Sequence, residues 1–326
     1  MKKVLIIKLG ALGDILLATP HIERIWEVHK GEAVWLLTAP QFGGVFENHP
    51  GISVQTFPRK GVRAMLSLLF WLVKMRFDVV YDLQGSERSG VMSIASMARK
   101  RVGMGYRWPY NRHVSIKGYS DEHIFDRLNR VLVVGGLSPA GPRPTLYPAK
   151  EDKRKVERWM TEHGLEKGGF VVCHAGSSGR WASKRWPFYG QLGEMLERRG
   201  IRVVWIGAAE DRDINSSLAK RLGVDATGIF SIFELSLLAQ NARFALVNDS
   251  GPMHILSTAN KPVYAFFGPT DWRRHHAIGQ RERVFVGKAD CAPCYLGSCP
   301  LSPDRACLRS IEPERVMERL LAEGML

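Results

Sequence analysis

The chain has 326 residues and a formal net charge of +14, with 45% hydrophobic and 24% charged residues. That length carries two domains of ordinary size, and that balance excludes disordered, collagen-like and disulfide-framework chains. No apolar stretch approaches the ~20 residues of a membrane span. The cationic excess points to a polyanionic partner, either nucleic acid, an anionic membrane surface or a phosphorylated substrate, against the plainer alternative of a basic surface serving solubility.

The first apolar run, residues 3–8, predicts a buried strand. Lys2 and Lys3 give it the look of a signal peptide, but Lys8 and Asp14 interrupt the run and no small-residue cleavage pattern follows. The expected compartment is the cytoplasm, with the cytoplasmic face of the inner membrane as a possible peripheral station. Gly10-Ala11-Leu12-Gly13-Asp14 then opens a helix over 15–29, whose apolar face is Ile15, Ala18, Ile22, Ile25 and Trp26. This is not G-x-G-x-x-G, so a dinucleotide fingerprint is absent and a dehydrogenase is disfavoured. Asp14 at a helix start is either a carboxylate complementing the helix dipole or a general base at a cleft edge.

Strands are expected over 33–38 and 79–83. Between them, residues 59–76 bracket an apolar run with cations. The run is too short to span a bilayer, and its centre reads as a buried helix with basic ends, against a peripheral amphipathic contact. Arg59, Lys60 and Arg63 are expected to meet an acidic acceptor. Arg99, Lys100, Arg101, Arg107 and Arg112 add cations in the same half. No RNA-binding motif supports nucleic acid.

Residues 135–150 hold Pro139, Pro142, Pro144 and Pro148, which suits a linker. The pattern then restarts. A charged helix is expected over 151–163, a strand over 169–174, a helix over 186–199 and a strand over 201–206. A helix over 232–240 follows, then strands over 244–247 and 262–267 and a last helix over 313–322. Strands alternating with helices imply parallel, doubly wound sheets. The expected domains are 1–148 and 149–326, with the last helix a candidate to pack back on the first domain.

The second half carries its own turns. Asn248-Asp249-Ser250-Gly251-Pro252-Met253-His254 runs from a strand into a helix start with unpaired N–H groups, either an ordinary capped helix or an anion site. Lys184, in Arg180-Trp-Ala-Ser-Lys-Arg-Trp-Pro187, is a point cation suited to a diphosphate. Trp186 is expected to pack its helix onto the sheet. Glu210, in Gly207-Ala-Ala-Glu-Asp211, either accepts from ribose hydroxyls or caps a helix. Cys291-x2-Cys294-x4-Cys299-x7-Cys307 has metal-like first spacing and irregular later spacing, so metal ligands, loop cysteines and a labile disulfide all stay open. Cys173 is expected in the core, and no cysteine is assigned to catalysis.

Taken in order, these motifs resemble the ADP-heptose:lipopolysaccharide heptosyltransferases, inverting glycosyltransferases of GT-B architecture. The matches are Lys8-Leu-Gly-Ala-Leu-Gly-Asp14, Asp82-Leu-Gln-Gly85 with Arg88 and Ser89, His174-Ala-Gly176, Lys184-Arg-Trp-Pro187, Asn248 to His254 and Phe267-Gly-Pro-Thr270. Cys291-Ala-Pro-Cys294 and Cys299-Pro300 complete the set. The resemblance implies an α/β fold of two Rossmann-like domains facing a central cleft. The first takes the acceptor, an anionic lipopolysaccharide core, and the second the nucleotide sugar ADP-heptose. It implies Asp14 as base, Lys184 on the donor phosphates and Asp249, Ser250, Gly251 and His254 as the donor turn, with Glu210 a looser match. Gln84 and Arg88 join Arg59, Lys60 and Arg63 as acceptor candidates. Transfer without cofactor or metal is expected, since no Asp-x-Asp motif lies at a strand end. A related transferase with another donor or acceptor, and a non-catalytic nucleotide- or polyanion-binding protein, remain the rivals.

Overall fold

The computed structural model describes residues 1–57, 61–105, 107–115, 122–301 and 304–326. Its contacts divide the chain into Met1–Tyr147 and Pro148–Leu326. Each unit holds one parallel six-stranded sheet. The first comprises β1 (Lys3–Ile7), β2 (Ala33–Thr38), β3 (Ile52–Thr56), β4 (Val79–Asp82), β5 (Lys100–Met104) and β6 (Arg112–Val114), in the order β3-β2-β1-β4-β5-β6. The second comprises β7 (Phe170–His174), β8 (Arg202–Trp205), β9 (Val224–Asp225), β10 (Ala245–Asn248), β11 (Val263–Phe267) and β12 (Val284–Val286), in the order β12-β11-β10-β7-β8-β9.

Both orders are the doubly wound 3-2-1-4-5-6 pattern, the second counted from β7. In each unit the order reverses between the first and fourth strands, β1 with β4 and β7 with β10. Ligands of such sheets bind beyond the strand ends at that reversal. The turns after β1 and β4, and those after β7 and β10, are therefore the places where chemistry is expected.

The strands read as unbroken apolar runs because both sheet faces are covered. Alternate residues of β7, β10 and β11 supply two separate cores. Val172, Val247 and Phe267 enter one, and Val171, Leu246 and Phe266 enter the other. In the first unit Val4, Leu5, Ile6 and Ile7 are all fully buried.

The first helix, Leu12–Val28, contains Pro20. Proline cannot donate to the carbonyl four residues earlier. Here the Thr19 hydroxyl donates to the Leu16 carbonyl instead, at 2.8 Å, and itself accepts from the Thr145 N–H at 3.0 Å. The helix keeps its course, and the proline-rich segment is pinned at Thr145.

One expectation is corrected. The helix expected over 186–199 starts at Tyr189 and ends at Glu197. Trp186 lies before it as a tertiary plug, stacked on Phe266 at 4.2 Å with its indole N–H donated to the Ile311 carbonyl. The last helix, Pro313–Ala322, sends Val316, Met317 and Leu320 into the second unit's own core, beside Tyr264, Phe266 and Phe285. Its amphipathic spacing is legible in the sequence.

Candidate functional site

In the first unit the turn after β1 leads into helix Leu12–Val28, and Asp14 is its third residue. The side chain is exposed, and Gly10 lies directly behind it: a Cβ there would stand 3.0 Å from the carboxylate. Ala11 caps the helix without a side-chain hydrogen bond, so Asp14 is the negative group in a first turn of unpaired N–H donors. Beneath it, Lys8 is buried, its Nζ donating to the Leu83 carbonyl at 3.2 Å. Burial lowers the Lys8 pKa, while the Asp14 and Asp82 charges oppose that shift.

Asp82, at the end of β4, is fully buried and organises the neighbouring turn. One oxygen accepts from the Gln84 and Gly85 N–H groups at 2.9 and 3.0 Å, and the other from the Tyr110 hydroxyl at 2.6 Å. Burial pushes its pKa up, against those hydrogen bonds. Gly85 has φ +66°, a conformation side chains rarely adopt. Gln84, an acceptor candidate, spends its side-chain oxygen on the Leu9 N–H at 2.9 Å, tying the two switch-point turns together. Arg88 is exposed on helix Glu87–Ala95, which Ser86 and Ser89 cap reciprocally. Beside this helix lies a cavity of about 400 Å3 walled by Gly85, Val91, Met104, Trp108 and Tyr110.

Of the other first-unit cations, Arg63 is exposed on helix Val62–Met75. Arg59 and Lys60 lie outside the described residues. Lys100 and Arg101 are committed to backbone: Lys100 donates to the Gly135 carbonyl, and Arg101 to those of Ala98 and Pro109. The apolar centre of 59–76 is only half covered. Leu68 and Leu72 are buried, but Val62, Leu66, Phe70 and Val73 are exposed, which corrects the expectation of a buried helix.

The second unit gathers most of its candidates at one place. Asn248 ends β10, and its amide donates to the carbonyls of His174, Ala175 and Gly176 at 3.4, 3.0 and 2.8 Å. Its oxygen accepts from the Trp186 N–H at 3.0 Å and the Tyr189 hydroxyl at 3.3 Å. One side chain thus fixes the turn after β7, the turn after β10 and the entry to helix Tyr189–Glu197. Next to it the Lys184 Nζ lies 2.7 Å from Asp249 and 4.8 Å from the Trp181 ring centre. The two charged side chains are 16% and 8% exposed, and Thr270 also donates to the same Asp249 oxygen, at 2.6 Å. Asp249 therefore positions Lys184.

Ser250 caps helix Gly251–Ser257, of which His254 is the fourth residue, and Pro252 sits in its first turn. The Ser250 hydroxyl is 3.1 Å from His174 Nδ1, and His174 Nε2 is 3.3 Å from Asp211. Burial raises the Asp211 pKa, but the His174 contact and the Ala208 N–H outweigh it and hold the carboxyl below its ordinary value. An ionised carboxylate can only accept, so Nε2 carries a proton and Nδ1 faces the serine. Gly176 is required here, because a Cβ at that point would run into the Asp211 carboxylate.

The structure bears on one of the two roles open for Glu210. The acid that caps this turn is Asp211, accepting from the Ala208 N–H at 3.1 Å. Glu210 is exposed just beyond β8. Asp211-Arg212-Asp213 is an Asp-x-Asp sequence just beyond β8, against the expectation of none at a strand end, and it begins helix Arg212–Ala219 with its first acid turned onto His174. His174, Asp211 and Thr270 were not picked out from sequence. His174 and Thr270 stand inside the matched motifs His174-Ala-Gly176 and Phe267-Gly-Pro-Thr270. Asp211 is next to the acid that was chosen.

The four clustered cysteines border one small cavity of about 70 Å3, together with Ser183 and Pro269. All are thiols, and among the described residues no three His, Cys, Asp or Glu side chains are arranged to hold a metal ion. Cys173 is buried, and burial pushes its thiol pKa up.

The chain belongs to glycosyltransferase family 9 (heptosyltransferase), which it matches over residues 65–303. It is 22% identical to the lipopolysaccharide core heptosyltransferase OpsX of Haemophilus influenzae over 287 residues, covering 82% of this chain and 80% of that one. A glycosyl transferase family 9 structure from Veillonella parvula superposes with a TM-score of 0.83 at 20% identity, covering 99% of this chain and 97% of the other. The Escherichia coli ADP-heptose lps heptosyltransferase II gives 0.74 at 19% identity, covering 99% and 98%. These likenesses fix the architecture as GT-B, and no helix among the described residues is long and apolar enough to cross a membrane.

Proposed function

We propose that this chain transfers heptose from ADP-heptose to the inner core of lipopolysaccharide with inversion, the first unit taking the acceptor and the second the donor. The observation that carries the reading is the Lys184–Asp249 pair, set where the second sheet's strand order reverses. A nucleotide sugar loses its diphosphate through an oxocarbenium-like state, by analogy with glycoside chemistry. Negative charge then grows on the departing phosphate. A half-buried ammonium, pre-positioned by Asp249, stabilises that charge without reorganising. Ser250, held towards His174, and Gly251 and His254 line the same turn and serve the donor, while the exposed Glu210 suits ribose hydroxyls. No metal is needed in this scheme.

Inversion needs a base on the side of the anomeric carbon away from the leaving group. Asp14 is an exposed carboxylate at the first unit's strand reversal, and it takes the proton of the acceptor hydroxyl. Arg63 and Arg88, with Arg59 and Lys60, supply cations for phosphates and acidic sugars. Gln84 acts by holding the turn from which Asp14 projects. Trp108, 75% exposed, offers a ring face to a sugar. Such an acceptor is lipid-anchored, so the enzyme works at the cytoplasmic face of the inner membrane as a peripheral protein.

The test is mass spectrometry of purified inner-core acceptor incubated with the protein and ADP-heptose, beside other sugar nucleotides. The expected product is the acceptor plus one heptose. Asp14→Asn should keep ADP affinity within about threefold and lose at least 100-fold in turnover, the scale of a positioned general base. Full turnover by that variant refutes the base assignment. ADP binding with no acceptor-dependent ADP release would favour a non-catalytic binding protein.

A further inference from the structure

We propose that helix Val62–Met75 docks the first unit onto an anionic lipid bilayer through an exposed apolar stripe. Val62, Leu66, Phe70 and Val73 are 76%, 60%, 71% and 48% exposed. At 3.6 residues per turn they fall within an arc of about 80° and extend about 16 Å along the helix. The opposite face is firmly seated. Leu68 and Leu72 are buried, and Trp71 packs edge-on against Trp35 with ring centres 5.6 Å apart. The stripe is therefore a rigid ridge.

A surface helix ordinarily turns charged residues to solvent opposite its apolar face. This one is apolar on both faces. Its charges are confined to a shoulder: Arg63 and Lys74 lie within about 20° of each other, beside the stripe, and Arg76 follows at the helix end. All three are exposed. The sequence from 48 to 77 contains no Asp or Glu. An apolar ridge with a cationic shoulder matches the boundary between acyl chains and anionic headgroups.

A second copy of the chain fits the same surface badly. In an isologous antiparallel pair, Arg63 of one helix would meet Lys74 of the other, cation against cation, with no acid on either helix to offset them. A membrane supplies the missing anions. This inference extends the peripheral-contact part of the proposed function, but vesicle binding is read without turnover. Either can fail while the other stands.

The test is flotation of the full chain with vesicles of phosphatidylethanolamine containing 30 mol% phosphatidylglycerol, and with phosphatidylcholine vesicles, at low and high salt. Binding is expected on the anionic vesicles and should be at least tenfold weaker on the zwitterionic ones. Leu66→Ser/Phe70→Ser should weaken binding at least tenfold by removing the largest apolar groups of the stripe. Lys74→Ala should weaken it about fivefold at low salt and less at high salt. These side chains are exposed, so melting temperatures should match wild type, and that control separates lost docking from lost folding. Wild-type binding by the serine variant would overturn the inference. So would a wild-type dimer in analytical ultracentrifugation that the same substitutions dissociate.

Discussion

Lys184 offers a test in which stability and ligand affinity should move apart. Its ammonium sits 2.7 Å from Asp249, and Asp249 has one further partner in Thr270. Removing one member of a fully buried ion pair costs about 3–5 kcal/mol, because the other charge is left in low dielectric. Lys184 is 16% and Asp249 8% exposed, so the penalty should lie below that range, at about 2–3 kcal/mol for Lys184→Ala. The same substitution deletes the charge-assisted hydrogen bond proposed for the donor diphosphate, worth about 1.5–3 kcal/mol, or roughly 10- to 150-fold in ADP affinity. Asp249→Asn in the Lys184→Ala background removes the stranded carboxylate. Urea unfolding should then recover at least half of the lost stability, whereas calorimetric ADP affinity should stay as low as in Lys184→Ala. Asp249→Asn alone should lose stability yet bind ADP within a few-fold of wild type, since the ammonium remains. The reasoning fails if Lys184→Ala binds ADP within twofold of wild type, or if the double variant regains both quantities together.

Two further substitutions probe the scaffold beneath these turns. Asn248→Asp keeps an acceptor for the Trp186 N–H but sets a carboxylate oxygen against the carbonyls of His174, Ala175 and Gly176. At a fully buried position this should cost at least about 3 kcal/mol in urea unfolding, and more than Asn248→Ala costs. An aspartate variant as stable as wild type would sink the account of this residue. His21 is buried with Nε2 3.0 Å from the Phe125 carbonyl, and its pKa is lowered to about 4, chiefly by burial, with the Lys8 charge adding to it. Below pH 6.5 the unfolded chain takes up a proton that the native protein refuses until about pH 4. Stability should accordingly fall across that window by up to about 1.4 kcal/mol per pH unit, about 3 kcal/mol in all. His21→Asn should show a correspondingly shallower loss in urea titrations between pH 6.5 and 4, and an unchanged slope would refute the linkage.

What sequence could reach here has a physical boundary. The run Val4–Ile7 announces a strand because both sheet faces are covered. Asp14 marks a helix start because its neighbours on either side change period. Signals of that kind are local. The short polar strands β6 and β9 carry almost none, since Arg112-His-Val and Val224-Asp become strands only by pairing with β5 and β8. Trp186 looked like the start of a helix because it precedes an amphipathic run. Its indole instead finds the Ile311 carbonyl, 125 residues away. Between the adjacent acids Glu210 and Asp211, only His174, on another strand, decides which is structural.

The two strand reversals make a stronger argument together than either motif does alone. The same winding produces two sites of the same kind, each with two turns bound to one another by one side chain, half-buried Gln84 in the first and fully buried Asn248 in the second. In the first unit the binding runs from Gln84 to the Leu9 N–H, over a base of Asp82 and Lys8. In the second it runs from Asn248 to three carbonyls of the turn after β7. What differs is the group left on top: an exposed carboxylate in one, an ammonium clamped by an acid in the other. A proton acceptor and a phosphate stabiliser are the two groups that a metal-free inverting transfer requires. On the proposed assignment, a duplicated fold with divergent turn chemistry supplies both without any change to the strands that carry them.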